Sequence, residues 1–185
     1  MKKEVEIISG NLLDFPPYCK ATGISTNINC IAHSCNTLNT MGAGIAKQIK
    51  ERFPQAWEAD CNAHETGKNK LGWYSEATFE SMFLENKIGT IYNLYTQDNI
   101  GEGKQVSYDA FYDALSRLAQ NLDDEDVLGL PYGISSGLAG GRYAVIKAII
   151  DDIFCHTNKQ AYIVKYDLSC EPRSNWTKSE FEYYV

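Results

Sequence analysis

The stretch LPYGISSGLAGG, residues 130–141, places four glycines within nine residues, between a predicted strand and a predicted helix. Tight-turn geometry alone does not require so many glycines, whereas a loop whose amide groups wrap phosphate oxygens does. The stretch lacks the Gly-Lys-Ser/Thr of a P-loop, the GxGxxG of a dinucleotide-binding fold and the GxSxG of a serine hydrolase. We therefore expect a phosphate-bearing ligand, without ATP hydrolysis or dinucleotide redox chemistry.

An earlier glycine loop, NTLNTMGAGIA at residues 36–46, also joins a predicted strand to a predicted helix. Glycines at such a junction let the backbone approach an oxyanion, and the helix start adds free amide groups and a favourable dipole. By itself the GAG of residues 42–44 is equally explained by a tight turn. Ligands of α/β proteins bind beyond the carboxyl ends of the strands, where both loops are predicted.

Predicted strands alternate with predicted helices along the chain. Strands are expected at residues 5–9, 27–33, 73–79, 90–95, 126–130 and 161–166, and helices at residues 42–52, 54–64, 107–122 and 142–154. This alternation predicts an α/β fold with a mixed, mostly parallel central sheet covered on both faces. We expect one domain over residues 1–185, with a core at about residues 4–168 and a C-terminal tail at residues 169–185 that packs on it.

Composition limits the class of protein. The net charge is −7 and no run of Lys or Arg exceeds two residues, so general nucleic-acid binding is not expected. No segment approaches the roughly 20 apolar residues of a membrane span, and no targeting segment is recognisable at the N-terminus. The six cysteines form no CxxC pair, which favours free thiols in a reducing cytoplasm. We also expect a monomer.

Three motifs together resemble the macrodomain family, in the right order over roughly residues 5–166. They are the opening turn at residues 10–13, the stretch from residue 32 through the GAG to Phe53-Pro54, and residues 131–141. The resemblance is closest to the branch with yeast-type ADP-ribose-1″-phosphate phosphatases and terminal ADP-ribose glycohydrolases. It implies a three-layer α/β/α fold that binds ADP-ribose or ADP-ribose-1″-phosphate.

The resemblance also implies the residues of the ligand site. Ligand contacts are expected at Asn11, Leu12, Asn36, Met41, Gly42, Ala43, Gly44, Ile45, Gly133, Ile134, Ser135, Ser136, Gly137, Leu138, Ala139 and Tyr166. Asn36 occupies the place of the asparagine that binds the distal ribose. Asn11 replaces the aspartate that accepts the adenine amine, and shaping a turn is its alternative role. Tyr166 is expected either to stack beside the adenosine or to be an ordinary half-buried tyrosine.

The resemblance implies that the catalytic groups of the glycohydrolases are missing, because the central strand runs into Thr96-Gln97 without a lysine and Ala139 stands where the aspartate is expected. The resemblance thus favours hydrolysis of ADP-ribose-1″-phosphate by water, with a non-catalytic ADP-ribose reader and a hydrolase acting on modified protein or nucleic acid as alternatives. His33 and Asn36 are the candidate catalytic residues, and a purely structural histidine is the alternative for His33.

No cofactor is expected. No metal site is expected either, because His64 and His156 show no cysteine or carboxylate at ligand spacing apart from Cys61, whereas zinc takes about four ligands.

Overall fold

The computed structural model describes residues 4–14, 18–19, 24–25, 27–80 and 88–167, and the predicted C-terminal tail lies outside these residues. The strands are β1 (Glu6–Ser9), β2 (Tyr18–Cys19), β3 (Ile24–Ser25), β4 (Cys30–Asn36), β5 (Tyr74–Glu80), β6 (Ile88–Gln97), β7 (Val127–Pro131) and β8 (Gln160–Lys165). The helices are α1 (Gly44–Arg52), α2 (Pro54–Cys61), α3 (Tyr108–Asn121) and α4 (Tyr143–Cys155). Single 3₁₀ turns cover Leu12–Asp14 and Gly67–Lys70.

Six strands form the central sheet in the order β1-β8-β7-β4-β6-β5. All neighbours are parallel except β5, which pairs antiparallel with β6 at the edge. The prediction of a mixed, mostly parallel sheet is therefore confirmed. The strands β2 and β3 pair with each other as a separate antiparallel ladder. The sequence did not predict this ladder, because each of its strands contributes only two residues.

Alternate side chains of the central strands enter two separate cores, as strand geometry requires. In β4, Cys30 and Ala32 face the cluster that includes α3 and α4, while Ile31 faces the cluster that includes Ile49 of α1 and Ala56 of α2. Helices therefore cover both faces of the sheet. The fold has three layers, α/β/α, as expected.

Local sequence signals explain where two of the helices begin. The Ser107 hydroxyl accepts a hydrogen bond from the Ala110 amide (3.2 Å), so this serine is the N-cap of α3. Pro54 begins α2, where a missing amide hydrogen costs nothing. Both starts agree with the sequence-based expectation.

The strand β4 differs from its prediction, since it covers residues 30–36 instead of 27–33. Asn29 precedes it, and its side chain accepts from the Val127 amide (2.9 Å) and donates to Asp126 (3.0 Å). These bonds tie the entry of β4 to the start of β7. Because β4 extends to residue 36, Asn36 is its last residue and lies at the carboxyl end of the sheet.

Candidate functional site

A cavity of about 640 Å³ lies at the carboxyl ends of β4 and β7, which are neighbours in the sheet. Residues 37–43 after β4, called the first loop, form one wall, and residues 132–142 after β7, called the second loop, form the other. The volume falls in the range of small-molecule sites, roughly 300–1,000 Å³. Its position is the one at which open α/β sheets bind their ligands.

Side chains shape the first loop. The Asn36 amide donates to the Thr40 hydroxyl (2.8 Å), and its oxygen accepts from the Leu38 amide (2.9 Å). Each of these amide atoms keeps one further hydrogen-bonding position that can serve a ligand. Met41 is buried with a φ of 38°, in the left-handed region that non-glycine residues seldom adopt.

The N-terminus of α1 opens into the cavity. Its first residues, Gly44, Ile45 and Ala46, line the cavity wall. The N-cap residue Ala43 offers no side-chain cap, so the first-turn amides are not satisfied by a serine or aspartate. Uncapped amides at the positive end of a helix dipole suit an anion.

The backbone shapes the second loop. Short turns close it, through bonds from the Ile134 amide to the Pro131 carbonyl (3.0 Å) and from the Gly141 amide to the Ser135 carbonyl (3.0 Å). A Cβ on Gly140 would lie 2.7 Å from the Gly103 carbonyl oxygen, and its φ is 68°, so only glycine fits there. Gly137 lines the cavity, and a Cβ added to it would meet no atom within 4 Å.

A hydroxyl pair joins β4 to the second loop. Ser34 on β4 and Ser135 in the second loop share a hydrogen bond, and Thr96 lies 3.4 Å from the Ser135 hydroxyl. Ser135 has a φ of 58° and is buried. The hydroxyl of Ser136 turns away and donates to the Gly133 carbonyl (2.7 Å). Ser135 therefore helps to fix the cavity wall.

A buried ion pair lies behind the first loop. The Lys70 ammonium group donates to Asp60 Oδ1 (2.9 Å), to the Asp60 carbonyl (2.6 Å) and to Asn39 Oδ1 (2.6 Å). The side chains of Lys70 and Asp60 are 2% and 1% exposed. The ammonium also lies 4.5 Å from the centroid of the Tyr95 ring. Burial raises the pKa of Tyr95, and the charge of Asp60 raises it further.

Most of the residues expected to contact a ligand line this cavity. They are Asn36, Met41, Gly42, Ala43, Gly44, Ile45, Gly133, Ile134, Ser135, Gly137, Leu138 and Ala139. Because they come from two loops almost a hundred residues apart in the chain, the fold brings together what the sequence shows as separate motifs.

His33 does not line the cavity. It is fully buried, and its Nε2 lies 2.7 Å from Asn93 Oδ1. Burial lowers the pKa of His33 to about 4, although the bond to Asn93 and the charge of Asp60 oppose the shift. This placement favours the structural role that the sequence left open for His33.

Asn11, Leu12 and Tyr166 also lie outside the cavity lining. The Asn11 side chain accepts from the Leu13 amide (3.2 Å) and donates to Asp14 (3.0 Å), which are bonds of a turn-forming residue. Leu12 is buried in the core. Tyr166 is 65% exposed, so it is not the half-buried tyrosine that was considered.

Several lining residues were not singled out from the sequence. They are Ser34, Cys35, Thr40, Ala46, Asp60, Ile100, Gly101, Pro131 and Tyr132. Gln97 at the end of β6, which was considered from the sequence only for the absence of a lysine, also lines the cavity. Cys35 is no candidate nucleophile, because burial first, and then Asp60, hold its pKa well above the ordinary value.

Outside the cavity, one cluster corrects the expectation about histidine spacing. Asp152, Cys155 and His156 offer ligand atoms within 4.8 Å of one another at the end of α4. Residues three and four apart share a helix face, so Asp152 was at ligand spacing from His156. The cluster supplies three ligands, whereas a structural zinc site takes four.

Two further expectations concern thiols and membranes. Cys30, Cys35, Cys61 and Cys155 are free thiols. Within the described ranges, the structure has no helix with the length and apolar character to cross a bilayer.

Comparisons with known proteins identify the fold. No protein-family model matches the chain. An uncharacterized 17.5 kDa protein from the tk–vs intergenic region of Enterobacteria phage T4 is 34% identical over 125 residues, which are 65% of this chain and 77% of the phage protein. The macrodomain of Thermus aquaticus DarG superposes with a TM-score of 0.65 at 19% identity, over 88% of this chain and 97% of that one.

A third similar protein is Thermosipho africanus DarTG, which was solved in complex with ADP-ribose. It superposes with a TM-score of 0.61 at 16% identity, over 78% of this chain and 39% of the DarTG chain. The chain thus belongs to the same family as the phage T4 protein, and its fold is that of the macrodomains.

Proposed function

We propose that this protein binds ADP-ribose in the cavity between its two loops. The observation that carries the proposal is the meeting of an uncapped helix N-terminus and a glycine-rich loop across a cavity of about 640 Å³. The similarity to DarTG, a protein solved with ADP-ribose, supports the same ligand. One Asp and no Lys, Arg or His line the cavity among the described residues, so backbone amides would hold the ligand's negative charge.

The parts of the ligand can be assigned to parts of the cavity. The diphosphate fits between the first turn of α1 and the amides near Gly137, where the two walls face each other. Asn36 keeps one donor and one acceptor position for a sugar diol. Tyr132 lines the cavity and lies 4.6 Å, ring to ring, from Tyr143, so it is an aromatic surface for the adenosine end.

We further propose that the reaction, as in the ADP-ribose-1″-phosphate phosphatase branch, is removal of the 1″-phosphate by water. A covalent route through an amine has no support, since no lysine lines the cavity within the described part of the chain. The amides that would bind the diphosphate would also stabilise the oxygens of the transferred phosphoryl group. His33 has no part in this proposal, because it lies outside the cavity lining.

Phosphorus NMR with ADP-ribose-1″-phosphate tests both levels of the proposal. We expect the diphosphate signals to shift on binding and free phosphate to accumulate, and both effects to weaken in Asn36→Ala. The matched control is Asn121→Ala, whose amide bonds Tyr74 away from the cavity (2.8 Å). Shifted signals without free phosphate would leave a reader of ADP-ribose. Unshifted signals with both ADP-ribose and its phosphate would refute the ADP-ribose proposal itself.

A further inference from the structure

A group of three side chains with metal-binding atoms lies where α4 ends. One ligand atom each of Asp152, Cys155 and His156 lies within 4.8 Å of those of the other two. The residues stand at positions i, i+3 and i+4, which share one face of a helix. The side chains of Asp152 and His156 are 48% and 70% exposed, so an ion from solvent can reach them.

This cluster is separate from the cavity. The helix α4 begins directly after the second loop and runs for 13 residues, so its end lies about 20 Å from its start. The next strand, β8, is parallel to both of its neighbours, which places the cluster beyond the amino ends of the strands. The cavity lies at the opposite, carboxyl ends. The cluster therefore calls for a role based on its own chemistry.

The imidazole of His156 is held in the orientation of a metal ligand. Its Nδ1 lies 2.7 Å from the Asp152 carbonyl oxygen. A carbonyl can only accept, so Nδ1 carries the proton and the neutral ring has its lone pair on Nε2. Metal-binding histidines commonly donate their other ring N–H to a backbone carbonyl in this way. The helix end thus leaves Nε2 as the metal-binding atom.

The position of the thiol fits the same role. Cys155 Sγ lies 3.9 Å from Nε2 of His156 and 3.1 Å from Nδ1. A tetrahedral zinc ion, with Zn–S of about 2.3 Å and Zn–N of about 2.0 Å, holds its sulfur and nitrogen about 3.6 Å apart. A small rotation of the exposed imidazole would close the difference. The thiol donates to the Asp152 carbonyl (3.2 Å), and it would release this proton to solvent on binding the ion.

Charge and donor type select the ion. The carbonyls at the C-terminal end of a helix carry partial negative charge, which favours a cation, and the last turn of α4 contains no basic residue. Ca²⁺ and Mg²⁺ prefer oxygen ligands, whereas thiolate and imidazole suit Zn²⁺. The Asp152 carboxylate completes a set of three ligand types that zinc accepts.

We propose that Asp152, Cys155 and His156 bind one Zn²⁺ ion, with a water molecule in the fourth tetrahedral position. The ion is bound by a carboxylate oxygen, a thiolate and Nε2, and one position stays open, as in other zinc sites with three protein ligands. Binding stabilises the folded chain, because the three ligands come together only when α4 is formed. The inference does not rest on the proposed function, so failure to bind ADP-ribose would leave it intact.

Absorption spectroscopy with Co²⁺ tests the site, because Co²⁺ takes the coordination of zinc and reports it. Thiolate ligation gives a charge-transfer band in the near ultraviolet, and tetrahedral geometry gives strong bands in the visible. Metal-free protein is titrated with Co²⁺ and then with Zn²⁺ under reducing conditions. The variants are Cys155→Ser and His156→Ala. The control is Cys61→Ala with His64→Ala, an exposed pair that belongs to no group of three ligands among the described residues.

We expect one Co²⁺ ion per chain, with both spectral signatures, and displacement of this ion by Zn²⁺. Cys155→Ser should lose the charge-transfer band. His156→Ala should bind Zn²⁺ about 100-fold more weakly, since even the loss of an outer partner of a ligand costs about 10- to 100-fold. Zn²⁺ should raise the melting temperature of the wild type and of the control, and leave that of His156→Ala unchanged.

Three results would overturn the inference. They are no bound Co²⁺, a charge-transfer band that persists in Cys155→Ser, and a band that disappears in the control. The melting temperature of each protein is compared only with and without Zn²⁺, so loss of the His156 bond to the Asp152 carbonyl does not affect the result. If His156→Ala does not fold, Cys155→Ser decides, because a serine hydroxyl can still donate to this carbonyl.

Discussion

Side chains hold the first loop in place, whereas the second loop is closed mainly by bonds between its own backbone groups. In the first loop, Asn39 is bonded to the buried Lys70, and Thr40 is bonded to Asn36. In the second loop, turns between amides and carbonyls close residues 131–141, and glycine is required where Gly140 meets Gly103. The difference teaches where each wall is vulnerable. The first should fail when a charge is removed, and the second when a Cβ is added.

The largest expected loss of stability comes from a substitution beside the first loop. Lys70→Met leaves Asp60 buried without its partner, which should lower the free energy of unfolding by about 3–5 kcal/mol. Urea unfolding followed by circular dichroism measures the loss. Lys68→Met is the control, because its ion pair with Asp98 is exposed on the lysine side (81%) and should contribute less than about 1 kcal/mol. Similar losses in the two variants would contradict the importance of the buried charge.

Lowering the pH should destabilise the side of the molecule that carries the first loop, because His33 lies in β4, the strand that leads into this loop. Its pKa is lowered from 6.5 to about 4 in the folded protein, so the unfolded chain binds the proton more tightly. Stability is therefore complete above about pH 6.5 and falls as the pH decreases towards 4, by about 3 kcal/mol from this group.

The measurement for His33 is an NMR titration of its imidazole together with urea unfolding between pH 7 and 4.5. The imidazole should stay neutral until the pH approaches 4. A titration midpoint near 6.5 would show that His33 is not held neutral by burial, and the acid sensitivity would then have another origin.

The second loop should be destabilised by a substitution that strains its backbone. Gly140→Ala forces a side chain into the left-handed region and against the Gly103 carbonyl, at a cost of about 2 kcal/mol in unfolding free energy. Gly137→Ala is the matched control in the same loop, because its Cβ would meet no atom within 4 Å. Thermal unfolding compares the two. Equal melting temperatures would mean that the loop adapts without strain.

The smallest effect concerns the hydroxyl bond that joins β4 to the second loop. Ser34→Ala removes the hydroxyl that bonds Ser135, which should lower the unfolding free energy by about 1 kcal/mol. We expect a comparable weakening of ADP-ribose binding, since Ser135 then loses a partner that fixes its position. Ser75→Ala, in a hydroxyl pair with Tyr95 (2.7 Å), is a control that should affect stability without this effect on binding. Unchanged stability in Ser34→Ala would show that the Ser34–Ser135 bond does not stabilise the protein.

The elements and loops could be predicted from the sequence because their signals are local. The periodic apolar residues of α3 predict a helix, and the N-cap Ser107 predicts where it begins. The glycines of the second loop mark a strand-to-helix junction in the same way. The start of β4 was misplaced, since it depends on the side chain of Asn29 bonding residues near position 127.

The buried position of Asp60 could not be predicted, because its signal is not local. In sequence it is one of two acids in α2, with Glu58, and charged side chains in helices are usually exposed. It becomes a buried cavity residue because the turn Gly67–Lys70 returns the chain and places Lys70 against it. Tyr132 instead of Tyr166 lines the cavity for a similar reason, since only the fold shows which tyrosine faces inward.

The central position of β4 has a consequence for the order of folding. Its partners are remote in sequence, with His33 bonded to Asn93 sixty positions away and Cys30 bonded to Val127 ninety-seven positions away. Contacts across such distances form slowly, because the chain must close long loops before it gains them. A chain still emerging from the ribosome at residue 121 already contains the first loop, Asp60 and Lys70, yet it lacks β7 and everything that follows. We expect such a nascent chain to be unable to bind ligand, so that binding begins only late in synthesis.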